Sequence, residues 1–327
     1  MRIFKRITLG LSGLIALGVL GVVVKFYALS PKVGPVRDMH APTDAESIKR
    51  GEYLARHVYG CTGCHSNAHT DMPGDPEMED QLGVGRDFGD FPDIFPGRIR
   101  SRNLTSDKTA GIGGWSDGEV VRAMREGVSR DGSALFPIMP YPTYAKAMSD
   151  DDALAVVAYL RSLPPSTNDP GRMQIDFPIS MFGRAIPKPL VTPAPPAPLA
   201  SDAKARGEWL LVACSCGDCH STVNKRHEPL AGMYLAGGNE FPIPNRGKVY
   251  IANITSDVET GIGSWSDDEV FESIRHGISK KHTGRALYGM PWPAYGGMTD
   301  DDLHALVSAL RRVPAVHNVV RPDDLKL

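Results

Sequence analysis

The sequence has few aromatic residues, few cysteines and no basic stripe. Aromatic side chains make up only 7% of the 327 residues, whereas glycine (34) and proline (27) are plentiful, which favours small, loop-rich domains. Four of the five cysteines lie in two short repeats, so there is little scope for structural disulfides. The net charge is −2, and without clustered lysine and arginine the sequence does not predict nucleic-acid binding.

Two segments carry the pattern C-x-x-C-H. Its residues are Cys61, Cys64 and His65 in the first copy and Cys216, Cys219 and His220 in the second. On a helix, positions i, i+3 and i+4 share a face, so each set can address one flat ring. The pattern is the attachment signal of haem c, bound through two thioethers and ligated by the histidine. We therefore predict two covalently bound haem c groups, each with an iron ion, in cores otherwise short of aromatic packing.

Other interpretations of the pattern are a structural zinc half-site, a dithiol redox pair or coincidence. Zinc would need two further cysteine or histidine ligands at ordinary spacing, and a redox pair would need a βαβ setting. Neither surrounds these segments, and the second copy makes coincidence negligible.

The two motifs belong to an internal duplication. The matched segments are 50–54 with 206–210, 103–107 with 253–257, 111–117 with 261–267, 139–140 with 290–291 and 149–152 with 299–302. The fifth cysteine, Cys214, stands where the first half has Tyr59. It is interpreted as a small buried residue at a helix end, with a redox-active thiol as the alternative.

Helix start signals recur in both halves. In the first half, Thr43, Ser116 and Ser149 each precede an acidic residue by three positions, which predicts three helix N-termini. The long Gly/Pro-rich loop between the first two helices shows no strand alternation. The predicted fold class is all-α: an N-terminal segment (1–30), a haem domain (44–165), a proline-rich linker (166–200) and a second haem domain (201–318).

Residues 7–24 form an apolar run of 18 residues between positive charges at Arg2, Lys5, Arg6 and Lys25. This length suits a membrane-spanning helix, and the positive cluster should stay in the cytoplasm. A cleaved signal sequence is the alternative, but its one passable cleavage site, at residues 28–30, would leave Pro31 directly after the cut. A retained anchor is favoured.

The second axial ligand of each iron decides the class of function. A Met-Pro pair lies before the last helix of each half, at Met139 and Met290. Methionine sulfur stabilises ferrous iron, so His/Met ligation is typical of an electron relay without an open iron. Met148 and Met298 also match, but each directly precedes a helix N-cap and is interpreted as core.

Further residues could contact the haem propionates. Trp115 and Trp265 could donate their indole N–H groups, or could simply pack in the core. Arg98 and Lys248 are candidate counter-charges. The acidic run at residues 71–93 could dock an electron-transfer partner, or could be a solvated loop.

With these motifs, the sequence resembles the multihaem cytochrome c subunits of membrane-bound bacterial dehydrogenases, such as the quinoprotein alcohol dehydrogenases, over residues 44–165 and 201–315. The most specific elements are N-[L/I]-T-S-D, [T/A]-G-I-G-x-W and the segment M-P-Y-P-T-Y-A-K at 139–146. The resemblance implies a class I cytochrome c fold for each domain, with Met139 and Met290 as axial ligands. This chain has two attachment motifs where that family typically has three.

The sequence thus predicts a membrane-anchored dihaem electron carrier rather than an enzyme. By the resemblance, its donor is a periplasmic or membrane-bound dehydrogenase, and its acceptor is an oxidase, a quinone or a soluble cytochrome of the respiratory chain. The haem domains would lie on the periplasmic side of the bacterial inner membrane. The alternative is a dihaem enzyme such as a peroxidase or a thiosulfate-oxidising cytochrome, which needs an open or displaceable iron ligand.

Overall fold

The computed structural model describes residues 2–91, 95–224, 228–243, 246–280 and 287–325. The chain begins with helix α1 (Arg2–Val23), which continues as a π-helical turn (Val24–Ala28). The span Gly10–Ala28 is long and apolar enough to cross a membrane, and only 6% of it is buried within the protein. A membrane anchor and a signal sequence both fit this description.

The first half consists of short helices and a hairpin. In chain order they are α2 (Ala45–Tyr53) with a π-helical turn (Leu54–Val58), α3 (Cys61–His65), a 3-10 turn (Glu79–Gln81), β1 (Arg86–Phe91), β2 (Phe95–Ser101), α4 (Asp117–Glu126), α5 (Tyr141–Ala147) and α6 (Asp150–Ser162). Strand β3 (Gln174–Ile175) and helix α7 (Ile179–Gly183) follow.

The second half repeats this order of elements from α2 to β3. It contains α8 (Ala203–Ala213), α9 (Cys216–His220), β4 (Glu240–Ile243), β5 (Gly247–Tyr250), α10 (Asp267–His276), α11 (Trp292–Tyr295), α12 (Asp300–Arg311) and β6 (Asp324–Leu325). The matched segments of the sequence therefore occupy matching elements.

The prediction of irregular connectors between the first two helices was wrong. Strands β1 and β2 pair antiparallel and β3 adds to β2, while β4, β5 and β6 form the equivalent sheet. Gly97 and Gly247 let the third strand approach closely, since a Cβ atom on either would lie 2.1 Å from a carbonyl oxygen of that strand. Such short strands, paired through glycine, carry no alternating apolar pattern.

Two of the three predicted helix starts in the first half are confirmed. The Ser116 side chain accepts a hydrogen bond from the Glu119 N–H in a full capping box, and the Ser149 side chain accepts from the Asp152 N–H. The start at Thr43 was wrong by one residue, because the Asp44 carboxylate accepts from the Ser47 N–H at 2.8 Å. Both residue types cap helices well, so the sequence alone could not separate them.

In each half, the core is built on the first helix packed against the last. Gly51 of α2 lies so close to α6 that an added Cβ atom would stand 1.8 Å from the carbonyl oxygen of Ala155. A Cβ atom added to Gly207 of α8 would likewise stand 2.1 Å from the carbonyl oxygen of Ala305 in α12. Glycine is therefore required at both crossings. Met148 and Met298 are 0% and 2% exposed, which confirms that they are core residues.

The two halves contact each other directly. The hydroxyl of Tyr53 donates to the Asp302 carboxylate at 2.6 Å, and the indole N–H of Trp209 donates to the Ala147 carbonyl at 2.8 Å. The Nδ1 atom of His57 lies 2.8 Å from the Ala294 carbonyl oxygen. Polar groups of α2 and α8 thus reach elements of the opposite half.

Part of the acidic run is neutralised within the first half. The carboxylate of Asp75 pairs with Arg86 at 3.2 Å, and that of Asp87 pairs with Arg98 at 2.9 Å and Arg100 at 3.1 Å. Asp93 lies outside the described residues. These pairs hold the hairpin together and reduce the charge available for a partner.

Candidate haem sites

Each attachment motif forms a short helix that follows a sharp backbone reversal. Gly60 before α3 and Ser215 before α9 both adopt left-handed conformations, with φ of 62° and 55°. Within each motif the first cysteine is half-buried and the second is exposed, and all are free thiols. Thiols on one face of a single turn are available to bond to one ring edge.

The motif histidines are oriented by the same contact in both halves. The Nδ1 atom of His65 lies 2.7 Å from the carbonyl oxygen of Arg102, and Nδ1 of His220 lies 2.8 Å from that of Ala252. A carbonyl oxygen can only accept, so Nδ1 carries the proton and Nε2 is left as the ligand atom. Burial lowers the pKa of both imidazoles, which favours the neutral form that binds metal.

The carbonyls that hold these histidines are positioned by the matched N-[L/I]-T-S-D block. Asn103, 1% exposed, follows Arg102; its amide donates to the carbonyls of Ser166 and Asn168, and its Oδ1 accepts from the backbone of Thr105. Asn253 makes the equivalent turn in the second half. The block therefore has a structural task, which is to fix the loop that orients the histidine.

Met139 and Met290 are both half-buried and pack against the hydrophobic core. An aromatic residue two positions later closes each loop. The hydroxyl of Tyr141 donates to the Leu135 carbonyl at 3.4 Å, and the indole N–H of Trp292 donates to the Leu287 carbonyl at 3.2 Å. The two methionine loops thus share a similar closing hydrogen bond despite different sequences.

A second aromatic residue ties each methionine loop to the attachment turn. The hydroxyl of Tyr144 donates to the carbonyl of Tyr59 at 2.5 Å, and that of Tyr295 donates to the carbonyl of Cys214 at 2.8 Å. Both carbonyls belong to the residue two positions before the first motif cysteine. Burial raises the pKa of both phenols well above the usual range, so they remain neutral donors.

Cys214 is 3% exposed and ends helix α8. This confirms its interpretation as a buried residue at a helix end. Burial raises the pKa of its thiol well above the usual range. Because the thiolate is the reactive form, this environment disfavours the redox-active alternative.

Trp115 and Trp265 are half-buried against the core, and an arginine from the last helix of each half holds their backbones. Arg161 donates to the Trp115 carbonyl at 2.5 Å, and Arg311 donates to that of Trp265 at 2.6 Å. The sequence interpretation missed these two arginines, although they match at the same offset as the tryptophans.

Arg98 and Lys248 lie on the strands and pair with Asp87 and Glu240. Other cations line a crevice beside Trp115, namely Arg102, Arg130 and Arg172. They too are paired with carboxylates, Arg102 with Asp169 at 3.8 Å, Arg130 with Glu119 at 3.6 Å and Arg172 with Asp131 at 2.6 Å. Nothing in their sequence spacing indicated that they would converge.

The described residues fit haem c better than the alternative of zinc. Within those ranges, no group of three or more His, Cys, Asp or Glu side chains could hold a metal ion. The first cysteine of each motif is half-buried, and burial raises the pKa of the Cys61 and Cys216 thiols to about 12. Paired thiols on one helical turn beside an oriented imidazole suit a flat, covalently bound ring.

Comparisons with known proteins agree with this chemistry. The chain is 32% identical to the cytochrome c subunit of alcohol dehydrogenase (quinone) from Gluconobacter oxydans, over 84% of this chain and 56% of that subunit. It is 34% identical to the gluconate 2-dehydrogenase cytochrome c subunit from Pantoea cypripedii, over 79% and 55%. It is also 28% identical to a dihaem cytochrome c-type protein from Cereibacter sphaeroides, over 79% and 83%.

These findings place the chain among relatives of the c-type cytochromes. More particularly, it is homologous to the cytochrome c subunits of dehydrogenases that act on alcohol, gluconate and fructose, which confirms the resemblance seen in the sequence. The chain spans about half the length of these curated relatives. No protein-family model matches it.

Proposed function

We propose that this protein is a dihaem electron carrier that accepts electrons from a dehydrogenase and passes them toward a respiratory acceptor. The observation that carries this proposal is the repeated link between an oriented histidine and a methionine loop. In both halves a buried tyrosine hydroxyl joins the methionine loop to the turn that bears the histidine. Two copies of the same arrangement are expected of an electron carrier with two similar haem sites.

In this proposal each half forms one haem domain, over 44–165 and 201–318. His65 and Met139 ligate the first iron, and His220 and Met290 ligate the second. Bound haem c supplies one-electron oxidation and reduction. The chain itself would hold the imidazoles through Nδ1 and keep each methionine in a braced loop.

The two sites are also close to one another across the face between the halves. Thr143 of α5 donates to the Asp218 carboxylate, within the second attachment motif, at 3.1 Å. This contact between the first half and the second attachment motif supports electron exchange between the two proposed haem sites.

Substitution of the methionines tests the ligation. Met139→Ala and Met290→Ala should each convert one haem to a high-spin form or recruit a substitute ligand, as seen in absorption and EPR spectra of the intact chain. Met148→Leu and Met298→Leu are matched controls, because these buried side chains tolerate a volume-conserving change and should leave ligation unchanged.

Low-spin spectra unaffected by both alanine substitutions would overturn the proposed ligand set. A high-spin haem in the unsubstituted protein, together with turnover of peroxide or thiosulfate, would favour the enzyme alternative instead.

The electron donor can be identified by extracting the protein in mild detergent and determining which proteins copurify with it. We expect a dehydrogenase catalytic subunit to accompany the chain and, with its substrate present, to reduce the haems. Copurification of an oxidase alone, without reduction by any dehydrogenase substrate, would contradict the proposed donor.

A further inference from the structure

Helix α7 packs against the point where the N-terminal helix ends. The rings of Phe26 and Phe182 meet edge to face, with centroids 5.4 Å apart. The Arg184 guanidinium donates to the Phe26 carbonyl at 2.9 Å and lies 5.1 Å from the centroid of the Tyr27 ring. The base of the apolar helix is therefore attached to the folded part of the chain.

Around this junction the protein exposes large apolar side chains, which we call the basal patch. Its members and their exposed fractions are Tyr27 (51%), Phe177 (74%), Ile179 (39%), Phe182 (51%) and Ile186 (42%). The patch adjoins the span Gly10–Ala28, which is itself apolar and almost wholly uncovered. Contiguous exposed apolar surface of this kind marks an interaction site.

The charges beside the basal patch are mostly positive. Lys25, Lys32, Arg184 and Lys188 lie within or next to its segments, where Asp176 is the acidic residue. Aromatic rings mixed with lysine and arginine suit the boundary between hydrocarbon and anionic head groups. A surface that only contacted water would not need exposed aromatic rings. A docking site for an acidic protein would need the positive charges but not the apolar side chains.

The junction also reaches the first methionine loop. Gly183 of α7 lies against the ring of Phe136, where an added Cβ atom would stand 3.1 Å from the ring. Phe136 precedes Met139 by three residues. Among the described residues of the second half, no helix follows β6, the counterpart of β3, so the second methionine loop has no equivalent of α7 there.

We propose that the basal patch is a second membrane contact, which sits in the head-group region of an anionic phospholipid bilayer beside the exit of the N-terminal anchor. It would hold the first half, through the contact between Gly183 and Phe136, at the membrane surface. This inference rests on the proposed retention of the N-terminal helix as an anchor.

The test uses the full haem-loaded chain with a nitroxide label at one introduced cysteine. In one variant the label is at Phe177→Cys in the basal patch, and in a matched variant it is at Val319→Cys, a position 75% exposed in the second half. Each protein is mixed with vesicles of equal parts phosphatidylcholine and phosphatidylglycerol and examined by EPR power saturation. Unchanged haem spectra confirm that both variants are folded.

At position 177 we expect collisions with lipid-soluble oxygen to exceed those with a water-soluble paramagnetic reagent, and at position 319 we expect the reverse. If the protein sediments with the vesicles but the two labels behave alike, the basal patch is not a membrane contact while the anchor stands. If the protein remains in the supernatant, the anchor fails and this inference fails with it.

Discussion

The two halves of the chain use the same hydrogen bonds around their attachment turns but differ at the face on which they meet. The contacts of His65 and His220 with backbone carbonyls match, as do those of Tyr144 and Tyr295. On the shared face, by contrast, Trp209 takes the place of Tyr53, and the two side chains donate to different partners, the Ala147 carbonyl and the Asp302 carboxylate. The hydrogen bonds around the attachment turns are repeated, whereas those that join the halves have different acceptors.

One difference can be traced to a single residue. Cys61 follows Arg50 by 11 positions, whereas Cys216 follows Arg206 by 10. The first half takes up the extra residue in the π-helical turn Leu54–Val58, and the helix of the second half has no such turn. A π-turn is the usual way for a helix to absorb one inserted residue, and here it lies where His57 meets the other half.

The comparison predicts unequal effects at the two buried aspartates. Asp302 is 5% exposed and accepts from Arg206 at 2.7 Å and from Tyr53 at 2.6 Å. Asp302→Ala should lower the free energy of unfolding by about 4 kcal/mol, because two buried groups lose their partner. Asp152→Ala should cost about half as much, since Arg50 is 50% exposed and water can replace the carboxylate. Equal losses in chemical denaturation would contradict this difference.

Asp302 should also make stability depend on pH. Burial alone would raise its pKa, but hydrogen bonds from Arg206 and Tyr53 outweigh burial and lower it. Such a group contributes stability that is fully present above the unfolded pKa of about 3.9 and is lost as the pH falls through the lower folded value. Asp302→Asn should therefore flatten the acid-induced fall in unfolding free energy, and an unchanged slope would argue against this role.

The glycine crossings should behave alike in the two halves. Gly51→Ala and Gly207→Ala would each press a methyl group onto a backbone carbonyl, and we expect each to cost about 3 kcal/mol of unfolding free energy. Lys49→Ala, on the exposed side of α2, is the control and should change little. A large effect in only one half would show that the repeated crossings are not equivalent.

Removal of the tyrosine links should have a smaller effect, again equal in both halves. Tyr144→Phe and Tyr295→Phe each leave a buried carbonyl without its donor, at a cost of about 1.5 kcal/mol. Under the proposed ligation by Met139 and Met290, the link braces the methionine loop, so the methionine-to-iron charge-transfer absorption of the affected haem should also weaken at a lower temperature. A loss of stability without any spectral change would mean that the tyrosines serve only the fold.

The smallest effect is expected at the turns before the motifs. Ser215 holds a left-handed conformation at φ of 55°, where the first half has Gly60 at φ of 62°. Ser215→Gly should stabilise the chain by about 0.5 kcal/mol, whereas Gly60→Ser should destabilise it by about 1 kcal/mol. Thermal unfolding of both variants provides the measurement, and a change of the same sign in both would be inconsistent with backbone strain as the cause.

The sequence predicted the local features of this fold because these depend on neighbouring residues. The capping serines at 116 and 149 and the core methionines follow from spacing alone. The missed features depend on distant partners: β3 pairs with β2 through Gly97, and α7 packs against Phe26 and Phe136. The crevice beside Trp115 was also missed, because its arginines come from separate parts of the chain.

The contact between Tyr53 and Asp302 has a consequence for biosynthesis. The two residues are 249 positions apart in the sequence, and His57 and its partner Ala294 are 237 positions apart. A chain made from its N-terminus therefore completes every internal contact of α2 with α6 long before the partners of Tyr53 and His57 exist. The first half emerges from the ribosome with one polar and aromatic face uncovered, and α11 and α12 cover that face later.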